Sequence, residues 1–295
     1  MKTMEKVRPV TMNRKGVTFV SSLREQSIYE INMDKIALKE SYNVSESPAI
    51  KSMAYDHEND ILYISDHIEG TITAIHEGHQ EVLISNLGIP VMIALDETNR
   101  LYVSDYELDG IAIIDIAKKK IIKTIKTGSH PEGISVSNNL IAVCNSNDNT
   151  VSLINKDNYE IETIKVGRTP KGIISTTNYL YVINYDDSTL NKIDLNNKEV
   201  GIVKLKGKKP KQMVHDEDNI YIVMYQTDQL IVFNKETEEQ TVIGGLSSPC
   251  SVTQNEDYIF VANEGNKTIS ILQKKNISII DNIHLNSKPE FIIRK

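Results

Sequence analysis

Three observations predict an all-β fold built from repeated units. Prolines recur along the chain at nearly constant spacing. Short runs of β-branched and aromatic residues recur with the same spacing, and their apolar positions alternate with period two. Turn-forming Asn, Asp, Ser and Gly residues separate these runs. A fixed period of about 40 residues with four short strands per unit predicts a β-propeller.

The prolines define the repeat. They stand at Pro9, Pro48, Pro90, Pro131, Pro170, Pro210, Pro249 and Pro289, which gives intervals of 39, 42, 41, 39, 40, 39 and 40 residues. We expect each proline to open an inner strand, because its missing N–H breaks no ladder hydrogen bond there. Its fixed φ also stiffens the connection between two units.

A second marker gives the number of units. It is a strand that ends in a small or polar residue, and it occurs as FVSS, YISD, YVSD, AVCN, YVIN, YIVM and FVAN, beginning at Phe19, Tyr63, Tyr102, Ala142, Tyr181, Tyr221 and Phe260. Seven copies predict seven blades. These blades should form a single domain with approximate limits 9–47, 48–89, 90–130, 131–169, 170–209, 210–248 and 249–288.

The unit from Pro131 to Thr169 illustrates one blade. Its four predicted strands are GISV, LIAVCN, TVSLIN and YEIETIKV, and its turns are SNN, SNDN and KDN. Short turns of this kind join antiparallel neighbours. A helical solenoid would instead need apolar residues at i, i+3 and i+4.

An eighth unit begins at Pro289 but has no blade to follow it. We expect residues 289–293 to be a closing strand in the first blade, so that the N- and C-terminal segments pair and seal the ring against exposed edges. Residues 9–12, PVTM, compete for the same inner position. The sequence does not decide between the two segments.

The YVIN strand together with the GxxP turn resembles the YVTN-type β-propeller repeat family, which is related in shape to NHL and WD-repeat propellers. The resemblance covers about residues 9–293 and implies a seven-bladed ring. It implies little about activity, because this fold hosts many functions. Family members are often exported. Since the N-terminus carries no apolar leader segment, we expect a cytoplasmic protein, with an exported mature form as the alternative.

Composition excludes several classes of function. A net charge of −7 argues against nucleic-acid binding, which needs a basic face. No apolar run is long enough to span a membrane. Two distant cysteines make a disulfide framework or a cysteine-ligated zinc site improbable. We expect a monomer.

The candidate ligand-binding face surrounds the mouth of the central channel. The turns that enter the inner strands and the loops between second and third strands meet on that face, which is the usual binding surface of such folds. The residues predicted to bind ligand are Asp66, Asp105, Tyr106, Glu132, Asn145, Arg168, Lys171, Asn184, Tyr185, Lys211, Tyr225 and Asn263. Acidic loops in blades 2 and 3 and basic turns in blades 5 and 6 predict a polarised mouth, suited to a zwitterionic ligand or a peptide.

A cation site is a further hypothesis. Ca²⁺ or another divalent cation takes oxygen ligands, and the strand-end side chains together with one acid could supply them: Asp66, Asp105, Glu132, Asn145 and Asn184. Lactonase-like propellers use a related set of carboxylates and amides. The alternative is that Asn and Asp stand there because they cap strands and open turns.

Other reactive residue types have weaker claims. The segment HEGHQE, from His76 to Glu81, is expected to be an exposed turn on the face opposite the mouth. Cys144 is expected to fill the core, and Cys250 to lie near the mouth without a neighbouring base. The weak catalytic candidates are His130, Glu132 and Lys171.

Three functions remain open at this stage. The first is a binding protein that recognises a peptide, a protein or a small charged ligand at the mouth. The alternative is an enzyme, a metal-assisted hydrolase, lactonase or lyase that uses the same residues. The third is a structural component of a larger complex.

Overall fold

The computed structural model of the chain describes residues 17–22, 27–32, 37–44, 49–137 and 139–295. Across these residues every regular element is a β-strand, and the strands form seven four-stranded antiparallel sheets. The predicted all-β, seven-bladed propeller is therefore confirmed. The turns are short because Asn, Asp, Ser and Lys residues at their corners adopt positive φ.

The strands are numbered in chain order. Blade 1 contains β1 (Val17–Ser22), β2 (Ser27–Asn32) and β3 (Ala37–Asn43); blade 2 contains β4 (Ile50–Asp56), β5 (Ile61–Asp66), β6 (Thr71–His76) and β7 (His79–Ile84). Blade 3 contains β8 (Pro90–Leu95), β9 (Arg100–Asp105), β10 (Gly110–Asp115) and β11 (Lys120–Lys126); blade 4 contains β12 (Pro131–Ser137), β13 (Leu140–Asn145), β14 (Thr150–Asn155) and β15 (Ile161–Lys165). Blade 5 contains β16 (Pro170–Ser175), β17 (Tyr179–Asn184), β18 (Thr189–Asp194) and β19 (Val200–Lys204); blade 6 contains β20 (Pro210–His215), β21 (Asn219–Met224), β22 (Gln229–Asn234) and β23 (Gln240–Ile243). Blade 7 contains β24 (Pro249–Gln254), β25 (Tyr258–Asn263), β26 (Thr268–Gln273) and β27 (Ser278–His284), and β28 (Pro289–Arg294) follows it.

The last strand closes the ring. β28 is the innermost strand of blade 1 and pairs antiparallel with β1, with Thr18 opposite Arg294 and Ser21 opposite Phe291. Ile292 is almost completely buried against blade 7. The predicted closure by the terminal segments is thus confirmed. Residues 9–12, which were expected to compete for this position, lie outside the described residues.

Prolines open six of the seven inner strands, as expected. Blade 2 differs, because its inner strand begins at Ile50. Ile50 pairs with Asp66 in the way that Pro90 pairs with Asp105. Lys51 therefore takes the position that directly follows the proline in the other blades, and the longest proline interval, from Pro48 to Pro90, spans this unit. Pro48 itself lies outside the described residues.

The core lies between neighbouring blades. In one layer, Tyr102 and Ile111 of blade 3 pack with Ile141 and Val143 of blade 4, all of them essentially inaccessible to water. Cys144 is buried in the next layer, between blades 4 and 5, as predicted for a core residue. Because each layer joins two blades, the ring is held together by apolar contact as well as by closure.

Two partly buried ion pairs tie blades together on the face opposite the mouth. Asp96 Oδ2 of blade 3 lies 2.9 Å from Lys156 Nζ of blade 4 and accepts a hydrogen bond from the Tyr102 hydroxyl at 2.8 Å. Burial alone would raise the pKa of Asp96, but the hydrogen bonds from Lys156, Thr98 and Tyr102 lower it to about 2.

The second pair repeats this arrangement between blades 6 and 7. Asp216 Oδ2 lies 2.6 Å from Lys274 Nζ and 2.6 Å from the Tyr221 hydroxyl. Burial opposes ionisation here too, and the hydrogen bonds from Lys274 and Tyr221 lower the pKa of Asp216 to about 2.

These two pKa values give the stability a defined pH dependence. The unfolded pKa is about 3.9, so each pair stabilises the fold fully above that pH and loses its effect as pH falls toward 2. We expect Asp96→Asn and Asp216→Asn each to cost about 1–2 kcal/mol at pH 7, after allowance for solvent screening. Urea unfolding at pH 7, 4 and 2.5 should show the difference from wild type shrinking with acidity. The exposed Glu236→Gln is the control, and a difference that does not change with pH would contradict this expectation.

Candidate functional site

Two residues from each blade form the mouth of the channel. The first follows the proline position and defines the inner ring, which consists of Lys51, Val91, Glu132, Lys171, Lys211, Cys250 and Glu290. The second follows the second strand of the blade and defines the outer ring, which in the described residues consists of His67, Tyr106, Ser146, Tyr185, Tyr225 and Glu264. In blade after blade, the backbone N–H of the outer-ring residue donates to the carbonyl of the residue two before the inner-ring residue, as from Tyr185 N to Thr169 O at 2.9 Å.

Two pairs of opposite charge stand at neighbouring positions of the inner ring. Lys171 Nζ of blade 5 lies 3.1 Å from Glu132 Oε1 of blade 4. Lys51 Nζ of blade 2 lies 2.8 Å from Glu290 Oε1 of blade 1. Side chains at neighbouring ring positions are therefore within hydrogen-bond reach of each other, and the mouth presents both signs of charge in a small area.

Glu290 is the most enclosed acid of the mouth, with 9% of its side chain exposed. Burial alone would raise its pKa, but the nearby cations Lys51 and Lys211, the hydrogen bond from Lys51 and the proximity of His67 hold the pKa below its ordinary value. Glu290 is thus anionic at neutral pH and holds the Lys51 ammonium beside it.

Tyrosines flank the charged residues. The Tyr185 ring lies 5.0 Å from Lys171 Nζ, and the Tyr225 ring lies 5.1 Å from Lys211 Nζ. These distances are those of cation–π contacts. Tyr106 packs against His130 with ring centroids 5.1 Å apart. Burial raises the pKa of Tyr106 well above its ordinary value, and its hydrogen-bonded neighbour Glu132 adds to the rise.

Two cationic side chains on the predicted basic side of the mouth are paired with carboxylates of a neighbouring loop. Arg168 Nε donates to Asp187 Oδ1 at 2.6 Å, and 69% of the Arg168 side chain is exposed. Lys209 pairs with Asp186 in the same way. The expected division into one acidic and one basic side is therefore weaker than the sequence suggested, because the carboxylates of Asp186 and Asp187, in one loop of blade 5, pair with residues of both basic turns.

The strand-end carboxylates serve the backbone. Asp105 is completely buried, and its carboxylate accepts hydrogen bonds from four N–H groups, those of Gly88, Ile89, Glu107 and Leu108, at 2.8–3.2 Å. Asp66 is buried as well and accepts from two N–H groups of its own loop. These acids hold the turns of the mouth instead of facing a ligand.

The strand-end amides have the same role. Asn145 Nδ2 donates to Thr150 and Ser152, and the amides of Asn184 and Asn263 make equivalent bonds in blades 5 and 7. A Cβ at Gly128 would lie 2.7 Å from Asn145 Cγ. The glycine of the GxxP turn is required because the backbone rests directly on this amide.

The five predicted cation ligands are not brought together. They belong to four blades, and four of them are strand-end side chains used within their own blades. Among the described residues, no group of three or more His, Cys, Asp or Glu side chains is placed to hold a metal ion. The five residues therefore do not form a Ca²⁺ site in this arrangement. The alternative, that Asp and Asn cap strands there, accounts for the strand-end positions.

The residues considered for catalysis are not arranged as a nucleophile and a base. Cys250 is buried, its Sγ lies 3.3 Å from Pro289 O, and burial raises the pKa of its thiol to about 12. His130 is exposed and contacts Asn147 Nδ2 through Nδ1 at 2.8 Å. His76 and His79 end and begin the strands of an exposed hairpin, as predicted for that segment.

Sequence reasoning missed Lys51. The proline spacing assigned the head of blade 2 to Pro48, which placed Ala49 in the inner ring and Lys51 inside the strand. The interval of 42 residues was the available signal, because two additional residues must be accommodated somewhere in that unit.

The fold is shared with proteins of known structure. A virginiamycin B lyase from Staphylococcus aureus superimposes with a TM-score of 0.73 at 16% identity, over 82% of this chain and 87% of that one. A functionally unknown protein from Desulfotomaculum acetoxidans gives 0.76 at 13% identity, over 95% and 98%. A provisionally named 6-phosphogluconolactonase from Bacteroides fragilis gives 0.74 at 14% identity, over 97% and 99%.

Identities this low establish the fold alone. No protein-family model matches the sequence, and no curated protein matches it. The propeller that the YVTN resemblance implied is confirmed, whereas membership of that particular family stays a prediction. In the described part of the chain, no helix has the length and hydrophobicity needed to cross a membrane.

Proposed function

We propose that this protein binds a small charged ligand or a peptide over the mouth of its channel. The observation that carries the proposal is the inner ring, where Glu132 and Lys171, and Glu290 and Lys51, place opposite charges side by side. A ligand with both charges can replace or bridge these pairs without leaving a buried charge unpaired. Tyr185 and Tyr225 add flat aromatic surface beside the lysines.

The buried thiol and the dispersed acids favour binding over chemistry. A nucleophile needs an adjacent base or a lowered pKa, and the raised pKa of Cys250 is the opposite of that requirement. The YVTN-type assignment, a cytoplasmic location and a monomeric state belong to the same proposal.

A lyase or lactonase is the second candidate. It is favoured by the similarity in fold to proteins named virginiamycin B lyase and 6-phosphogluconolactonase. In that case His130, Glu132 and Lys171 are the residues on which proton transfer and charge stabilisation would depend. Glu132 pairs with Lys171, and His130 packs against Tyr106 of the neighbouring blade.

The binding proposal predicts that one double variant at the mouth loses ligand binding. A thermal-shift screen with amino acids, dipeptides and sugar lactones identifies a ligand, which at 100 times its Kd raises the free energy of unfolding by about 2.7 kcal/mol. We expect Glu132→Gln combined with Lys171→Met to abolish this shift while the melting temperature without ligand changes little, because only one partly exposed ion pair is lost.

The matched control is Lys192→Met combined with Glu238→Gln. This pair likewise joins two neighbouring blades, 5 and 6, with Nζ and Oε1 3.2 Å apart, but it lies away from the mouth. Ligand binding should survive in the control. If binding survives equally in both double variants, the ligand does not bind at the mouth. Turnover of a lactone or cyclic peptide by the wild type would favour the enzyme.

A further inference from the structure

Exposed large aliphatic side chains occur at two kinds of position in the described residues. Six stand on the outermost strands of the blades: Leu38, Val82, Ile122, Ile161, Ile202 and Ile280. The other two, Ile68 and Ile89, lie on the mouth face and are 64% and 40% exposed. Exposed apolar side chains on a binding face mark a contact surface for a ligand.

These two isoleucines belong to one place on the rim. Ile68 lies in the loop between β5 and β6, and Ile89 lies in the turn that enters blade 3. Leu87 N, two residues before Ile89, donates to Gly70 O at 3.0 Å and so joins loop and turn. The inner-ring residue that follows Ile89 and its proline is the uncharged Val91. We call the junction of blades 2 and 3 the apolar side of the mouth; the exposed acids Glu69 and Glu107 border it.

The junction of blades 5 and 6 is the cationic side. Lys171 and Lys211 hold neighbouring positions in the inner ring, each with a tyrosine ring at about 5 Å. Lys171 is paired with Glu132, whereas Lys211 Nζ lies 3.8 Å from Glu264 Oε2, beyond hydrogen-bond length. The Lys211 ammonium can therefore donate to an incoming anion. In a ring of seven blades, the two junctions lie on nearly opposite sides of the channel.

We propose that the ligand is a peptide that lies across the mouth, with an apolar side chain on Ile68 and Ile89 and a carboxylate between Lys171 and Lys211. This inference rests on the proposed function and specifies its ligand. Glu132 stands in blade 4, between the two sides. Lys171 pairs with only one oxygen of this carboxylate, Oε1. A hydrocarbon chain passing there would desolvate the carboxylate without offering it a hydrogen bond, whereas a peptide brings N–H donors.

The probes are acetylated, amidated peptides that carry one Leu and one Asp separated by zero to four alanines. We expect one spacing to bind best by isothermal titration calorimetry. Replacing its Asp by Asn should weaken binding about tenfold or more, since a hydrogen bond to a charged group is lost. Replacing its Leu by Ala should weaken binding several-fold through lost apolar burial.

The protein variants assign each end of the peptide. Lys211→Met should weaken the Asp peptide about tenfold and leave the Asn peptide unchanged, and Lys211→Arg should restore part of the loss. Ile68→Ser combined with Ile89→Ser should weaken the Leu peptide and leave the Ala peptide unchanged. Ile202→Ser, at a 70% exposed position on an outer strand, is the control for the apolar change.

The outcomes separate this inference from the proposed function. The inference is overturned if each protein variant weakens all peptides equally, whether they carry Asp or Asn and Leu or Ala. Binding of decanoate in preference to every peptide would overturn it as well. If no peptide binds but another ligand from the thermal-shift screen depends on Glu132 and Lys171, the inference fails and the proposed function stands. If nothing binds at the mouth, both fail.

Discussion

A chain that ends at Lys288 is expected not to fold cooperatively. Removal of residues 289–295 deletes β28, leaves β1 as an unpaired inner edge and exposes the apolar residues that Ile292 covers. The net stability of a domain is only about 5–15 kcal/mol, and the loss of a whole central strand exceeds such a margin. Circular dichroism and urea unfolding should show a broad, non-cooperative transition and a tendency to aggregate.

The complementary experiment adds the missing strand in trans. A synthetic peptide of residues 288–295 should restore a cooperative transition in a concentration-dependent way, because it binds only the folded ring. Arg294→Ala in the full chain, at an exposed position of the same strand, should cost little. A truncated chain that unfolds as sharply as the full chain would show that closure is dispensable.

Asp105→Ala is expected to have the largest effect of any single substitution at the mouth. It removes the acceptor of four backbone N–H groups in the turn and loop of blade 3. Hydrogen bonds to a charged group contribute about 1.5–3 kcal/mol each, and water will replace some of them. We therefore expect a loss of about 3–5 kcal/mol in the free energy of unfolding, measured by urea titration at pH 7.

Two comparisons test this explanation. Asp105→Asn keeps one carbonyl oxygen as an acceptor and should cost distinctly less than the alanine variant. Glu69→Ala, an exposed acid in the corresponding loop of blade 2, should be nearly neutral. If Asp105→Ala proved as mild as Glu69→Ala, the carboxylate would not be holding the turn.

The fold could be predicted because the same local rules recur in every unit. Each proline, each period-two strand and each Asn- or Asp-containing turn carries the same physical meaning, so errors in one blade are corrected by the others. Blade 2, which lacks a proline at the start of its inner strand, is the exception. In blade 2 the register cannot be counted from Pro48, since Ile50 takes the proline's place opposite Asp66.

The candidate site could be predicted only in part. Position after a proline is a backbone property, so counting alone puts Glu132, Lys171 and Lys211 at the second residue of an inner strand, where the structure has them. Whether an acid faces outward or inward is decided by nearby N–H groups. Asp105 and Glu107 are two residues apart and equally acidic, yet the first is buried beneath the turn and the second is exposed. Spacing and composition do not carry that distinction.

The two-ring mouth has a consequence for how such proteins diverge. Glycine, proline and the strand-end amide or acid are held by the backbone, while the residue after each proline and the residue after each second strand are not. Lysine, valine, glutamate and cysteine already share one of these positions in a single chain. Under the proposed function, substitutions at these few sites would alter what is recognised without altering the scaffold, so ligand preference could change faster in evolution than the fold that presents it.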